Sequence, residues 1–141
     1  VGSEVAKADL ERLADEKLAD AKILLASGRW SSAYYLAGYA VELALKACIA
    51  KTFKAETIPD KELVNATYRH EFKKLVGTAG LNAELQNKEQ ADQAFEINWG
   101  VVASWSPDVR YQSLDEQNAR DLIAAIEHGT NGVLVWIKTH W

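Results

Sequence analysis

The sequence predicts an all-α fold, an up-and-down bundle of about four to five main helices, on three observations. Apolar side chains recur at three- and four-residue spacing through most of the chain, the period of a helix with one face in a core. Glycine, proline and small polar residues fall between these stretches, where helices stop and start. No segment alternates strictly between apolar and polar residues, no Asn-Gly turn joins β-branched runs, and no internal repeat is visible, so strands have no support.

The first helix is expected over residues 4–27, where Leu10, Leu13, Ala14, Ala21, Leu24 and Leu25 mark one face and charges fill the other. Gly28 ends it. After the Gly28-Arg29 turn, a second helix carries Trp30, Ala33, Tyr34, Ala37, Val41, Ala44, Leu45 and Cys48 on one stripe, with Leu36, Ala40, Leu43 and Ala47 beside it. So wide an apolar surface predicts a helix covered on more than one side, and the short connection predicts an antiparallel hairpin with the first. Gly38 costs such a helix about 1 kcal/mol relative to Ala, which points to close approach of another backbone there.

The pattern weakens between Thr52 and Gly80, where short helices are expected over 59–66, opened by Pro59, and over 70–76. Asn82 is expected to cap a further helix that is polar in its first half and apolar at Phe95, Trp99, Val102 and Trp105, ending before Pro107. Ser113 and Glu116 have the offset of a capping box for the last helix, which runs through Leu122, Ile123, Ile126, Val133, Leu134 and Ile137. Gly129 and Gly132 each oppose helix there, but the apolar register continues past them, so one unbroken helix is expected.

The whole, residues 4–141, is read as one domain, since 141 residues suffice for a core without staples. A net charge of −4, with both signs interspersed, lacks the basic footprint of a dedicated nucleic-acid binder but leaves room for a local basic face. The single cysteine, Cys48, excludes an internal disulfide and suits a reducing cytoplasm, with a core position as its expected role. No leader pattern precedes the first helix, and Val1 to Ser3 is assigned no role. The apolar stretch 30–50 is interrupted by Glu42 and Lys46, so a buried helix rather than a membrane span is expected.

Glu42 and Lys46 stand one turn apart in the order that favours an ion pair; inside so apolar a helix, they are alternatively the lining of a polar cleft. His70 is expected at a helix start, His128 on a helix surface and His140 in a fraying terminus. None has a second His or Cys at ligand spacing, so neither a metal nor a cofactor is expected. Gly77-Thr78-Ala79-Gly80 lacks the Lys and Ser/Thr of a phosphate loop and reads as a helix stop. Of the five tryptophans, Trp30, Trp136 and Trp141 are expected to offer an exposed aromatic patch for self-association.

The stretch AKILLASGRWSSAYYLAGYAVELALKACIAK, residues 21–51, resembles the opening hairpin of HEPN domains (higher eukaryotes and prokaryotes nucleotide-binding). His70 with Leu75, Trp105 followed by Arg110-Tyr111, and a final helix reaching Trp136-Ile137 extend the likeness over most of the chain. The resemblance implies a helical bundle that commonly dimerises, and in active members a metal-independent ribonuclease built on an Arg followed, after about four to six residues, by a His: the Arg steadies phosphate charge while the His moves a proton. That spacing is missing. No His follows Arg110 within reach, Arg69 is directly followed by His70, and Arg120 and His128 are separated by seven residues. An eight-residue step is about 12 Å of rise and roughly 80° off the same helix face.

What the resemblance implies is therefore a non-catalytic member, homodimeric, working beside a nucleotidyltransferase-type partner in a toxin-antitoxin-like system, with RNA or a nucleotide as ligand. Its binding residues would be Glu42, Lys46, Trp105, Arg110 and Tyr111. The alternative is a ribonuclease whose site is assembled across the dimer from Arg110 with His70 or His128. A plain structural domain is the third reading.

Overall fold

In a computed structural model that describes residues 5–141, the chain is 72% helical, and no strand occurs among the described residues. Among the described residues, eight α-helices follow in order: α1 (Lys7–Ala26), α2 (Trp30–Ala50), α3 (Lys61–Thr67), α4 (Phe72–Thr78), α5 (Asn82–Ala91), α6 (Gln93–Ala103), α7 (Glu116–Glu127) and α8 (Val133–Lys138). A 3₁₀ turn, Pro107–Tyr111, lies between α6 and α7. The expected start of α1 at Glu4 lies outside the described residues.

Helix α2 is the axis of the bundle. It packs along α1 as the expected hairpin and also meets α4, α7, α8 and the 3₁₀ turn. Composition and length alone would let Trp30–Ala50 cross a membrane, but 67% of its most apolar window is buried within this fold. Ala33, Ala37, Ala40, Ala44 and Ala47 are all fully buried, and side chains this small let neighbouring helices come close. Larger groups, including Leu45, Ile49, Phe72, Phe95, Leu122, Ile126 and Ile137, fill the spaces between. Cys48 is part of this core: its Sγ lies 3.7 Å from the Ile137 carbonyl, and burial pushes the thiol up to about 11.

The two longest expected helices of the second half are each broken. Asp92 interrupts the first with an extended backbone (φ −142°, ψ 98°), and its Oδ1 accepts from the Phe95 amide at 3.0 Å to start α6 afresh. The final helix stops at Glu127 and restarts at Val133, so the single-helix expectation does not hold. Its register survived because His128, the C-cap of α7, turns the chain while its Nδ1 accepts from the amides of Thr130 and Asn131 at 3.3 and 3.1 Å. Asn131 then ties this loop to the other break, donating from Nδ2 to Asp92 Oδ2 at 2.8 Å and accepting at its carbonyl from Asn98.

Smaller corrections have local causes. The box that opens α7 is made by Asp115 and Asn118, not Ser113 and Glu116: the Asp115 side chain accepts from the Asn118 amide at 2.8 Å while the Asn118 side chain accepts from the Asp115 amide at 3.2 Å. Asn82 is the first residue of α5, and Leu81 occupies the cap. The close neighbour of Gly38 is a side chain, the indole of Trp105, rather than a backbone.

Candidate functional site

A stripe along α2, Tyr35, Tyr39, Glu42 and Lys46, runs at spacings of four, three and four, which places all four on one helix face. Over this face pass the connection from α3 to α4, carrying Tyr68, Arg69, His70 and Glu71, and the end of α6 with the 3₁₀ turn, carrying Trp105, Asp108 and Arg110. Together these residues line an open cleft of about 810 Å³.

At its floor is Glu42, 3% exposed and the one buried charged residue among those described. Lys46 Nζ lies 3.1 Å from Glu42 Oε2, so the expected ion pair is present, and it does line a cleft. His70 Nδ1 lies 3.1 Å from both carboxylate oxygens. A carboxylate only accepts, so the hydrogen between them belongs on Nδ1; a neutral His70 then presents Nε2 as an acceptor. Glu42 also acts on its neighbours: the Tyr39 phenol is pushed up in pKa first by burial and then by the Glu42 charge.

Behind the polar groups stands an aromatic wall. Trp105 is 2% exposed, stacks on Phe72 at 5.2 Å with planes 4° apart, and meets Tyr35 at 6.0 Å; Tyr35 in turn stacks on Tyr39 at 6.3 Å. Gly38 is required here, because a Cβ at that position would sit inside the indole. The 3₁₀ turn is anchored from the other end: Ser31 Oγ accepts from the Leu114 amide at 2.9 Å, holding the segment after Tyr111 against the start of α2.

Arg110, at the rim, forms no ion pair with Asp108 or with any other carboxylate among the described residues. Its guanidinium lies 5.0 Å from the ring centroid of Tyr111, and Tyr111, then Tyr35, push its pKa further above an already high value. Arg69 is likewise without a carboxylate partner among the described residues, whereas Glu71 is neutralised by Lys74 at 3.2 Å.

The fold thus brings Glu42, Lys46, His70, Trp105 and Arg110 to one cleft, with Tyr111 just outside it. His128 is not among the lining residues; it serves the α7–α8 loop as a cap rather than lying on a helix surface. His140 is half-buried with its ring 5.0 Å from that of Trp136. The expected aromatic patch does not form, since Trp136 is only 7% exposed and the Trp141 indole donates to the Ala44 carbonyl at 3.1 Å. Tyr35 and Tyr39, absent from the expected site, were legible as lining in the four-three-four stripe, whereas Tyr68 and Arg69, on the irregular α3–α4 connection, followed no such pattern. The contact from Glu42 to His70 had no such signal, because a twenty-eight-residue separation has no period.

Among the described residues no group of three or more His, Cys, Asp or Glu could hold a metal ion. No curated protein and no solved structure matches the chain. The HEPN domain family model matches residues 8–128, a span that includes α2, the α3–α4 connection, Trp105 and the Arg110-Tyr111 pair. The chain belongs to the HEPN domain family, a membership that suggests a nucleotide- or RNA-binding or RNase-like module.

Proposed function

We propose that this chain is a non-catalytic binding module that holds a phosphate-bearing ligand, RNA or a nucleotide, in the α2 cleft. The observation that carries the reading is that Arg69 and Arg110, two guanidiniums with no carboxylate partner among the described residues, open on the same cleft. A guanidinium offers a fixed fork of donors that fits a phosphate, and one not already committed to a carboxylate gains most from meeting it. Lack of turnover is supported by the missing Arg-to-His spacing around Arg110. Action as a homodimer beside a nucleotidyltransferase-type partner, in a toxin-antitoxin-like pair, is supported by the family resemblance.

A second reading is favoured by one specific contact. His70 and Arg110 line one cleft of one chain, and Glu42 fixes the His70 ring so that Nε2 is the nitrogen left to accept a proton. One chain then contributes both an Arg and a His of the kind a metal-independent ribonuclease uses, beside the alternative of a site assembled across a dimer. Incubating the protein with structured RNA in chelator, beside Arg110→Ala and His70→Ala, separates the two. The module reading expects binding without cleavage. Cleavage by the parent that both variants lose would establish the ribonuclease instead, and absence of any RNA or nucleotide binding would end both.

A further inference from the structure

Two Tyr/Arg neighbours belong to the cleft or its edge. Tyr68, 74% exposed, and the Arg69 that follows it both line it; Arg110 lines it too and precedes Tyr111, which is 79% exposed just outside. Ile58 apart, these are the most exposed large apolar and aromatic side chains among the described residues, and rings so open to water bury little surface in the core. Their chemistry is complementary to a chain of bases and phosphates: each ring offers a face to a base, and each adjacent guanidinium a fork to the phosphate that follows it. The cleft also has an aromatic wall at Tyr35 and Tyr39, and its buried carboxylate, Glu42, is already partnered by Lys46 and His70.

A duplex presents only its phosphates and groove edges and hides its base faces in the stack, so it could use the arginines but not the tyrosines. We propose that the occupant is unpaired RNA, held by stacking of bases on Tyr68 and Tyr111 with the intervening phosphates on Arg69 and Arg110. This rests on the reading of the cleft as a nucleotide or RNA site. Asp108 stands on the same rim without an ion-pair partner among the described residues, and its charge opposes the phosphates.

The test is fluorescence anisotropy with an end-labelled, mixed-sequence single-stranded oligoribonucleotide, and with the same strand annealed to its complement. The single strand is expected to bind more tightly than the duplex. Tyr68→Ala and Tyr111→Ala should each weaken the single strand on the order of ten-fold, the size of one lost base stack, while Tyr68→Phe and Tyr111→Phe keep the affinity. Arg69→Gln and Arg110→Gln should each flatten the salt dependence by about one unit of log–log slope, and Asp108→Asn should tighten binding. Both tyrosines are exposed, so unchanged circular dichroism will show that their variants still fold.

Equal or tighter binding of the duplex overturns the proposal, as does unchanged affinity in both Tyr→Ala variants while the parent still binds RNA. In those cases the cleft remains a phosphate site without stacking. If neither RNA form nor a mononucleotide binds, the functional reading beneath it falls as well.

Discussion

His70 Nδ1 lies 3.1 Å from both oxygens of the Glu42 carboxylate, although the two residues are twenty-eight positions apart and belong to different elements. The contact ties the irregular segment between α3 and α4 to the central helix and turns a helical ion pair into a three-membered polar cluster at the floor of a cleft. Its cost and benefit can be measured. Glu42→Ala leaves Lys46, 16% exposed, without its counter-charge, and should destabilise the protein by about 2 kcal/mol, below the range of about 3–5 for a fully buried pair. In urea, the double variant Glu42→Ala/Lys46→Ala should lose less than the sum of the single changes. Strict additivity would show that the pair contributes nothing.

Gly38 separates two opposed effects. Helix propensity alone favours Gly38→Ala by about 1 kcal/mol, but the new methyl would overlap Cε2, Nε1 and Cδ1 of the buried Trp105, a rigid ring pressed on Phe72. We expect a net loss of about 1–2 kcal/mol, smaller when Trp105→Leu is present as well. A stabilised Gly38→Ala would mean that the indole does not lie on the helix.

The two glycines of the α7–α8 loop should behave differently. A Cβ on Gly132 would come within 2.5 Å of the His128 carbonyl and 2.6 Å of the Ile126 carbonyl, both backbone atoms that cannot swing aside, while one on Gly129 meets nothing within 4 Å. Gly132→Ala is expected to cost about 2 kcal/mol or more and Gly129→Ala to stay within about 0.5 kcal/mol. Equal tolerance in thermal melts would favour the continuous helix that the sequence suggested.

Asp92 gives a pH signature. Its carboxyl is held below the usual carboxylate range by the Phe95 amide first, then by Asn131 and Lys88. Because the folded value is the lower one, the stabilisation is fully present above the unfolded value of about 3.9 and is lost as pH falls through the folded value. The gap in urea midpoint between the parent and Asp92→Ala should therefore be constant from neutrality down to about pH 5 and narrow below about pH 4. A gap that narrowed instead between pH 6 and pH 7 would assign it to a histidine.

Thiol chemistry checks the core. With Cys48 buried and its thiol pushed up to about 11, a disulfide reagent at pH 8 should react slowly with the native protein and at once in denaturant. Fast native reaction would place α8 away from α2.

The sequence by itself determined what depends on neighbours along the chain. Its three-to-four period placed α2 nearly to the residue and α1 except for its start, which falls at Lys7; Gly28 fixed the turn between them, and the Glu42–Lys46 pair followed from one turn of helix. Only the tertiary structure decided whether a helix that could continue did so. Asp92 and His128 break helices that the apolar register would have joined, because Asn131 binds one loop to the other and stabilises both breaks at once. It also decided the cleft: His70 and Arg110 meet the Tyr35–Lys46 stripe because three segments distant in sequence pack on α2, and packing across such distances leaves no period to read.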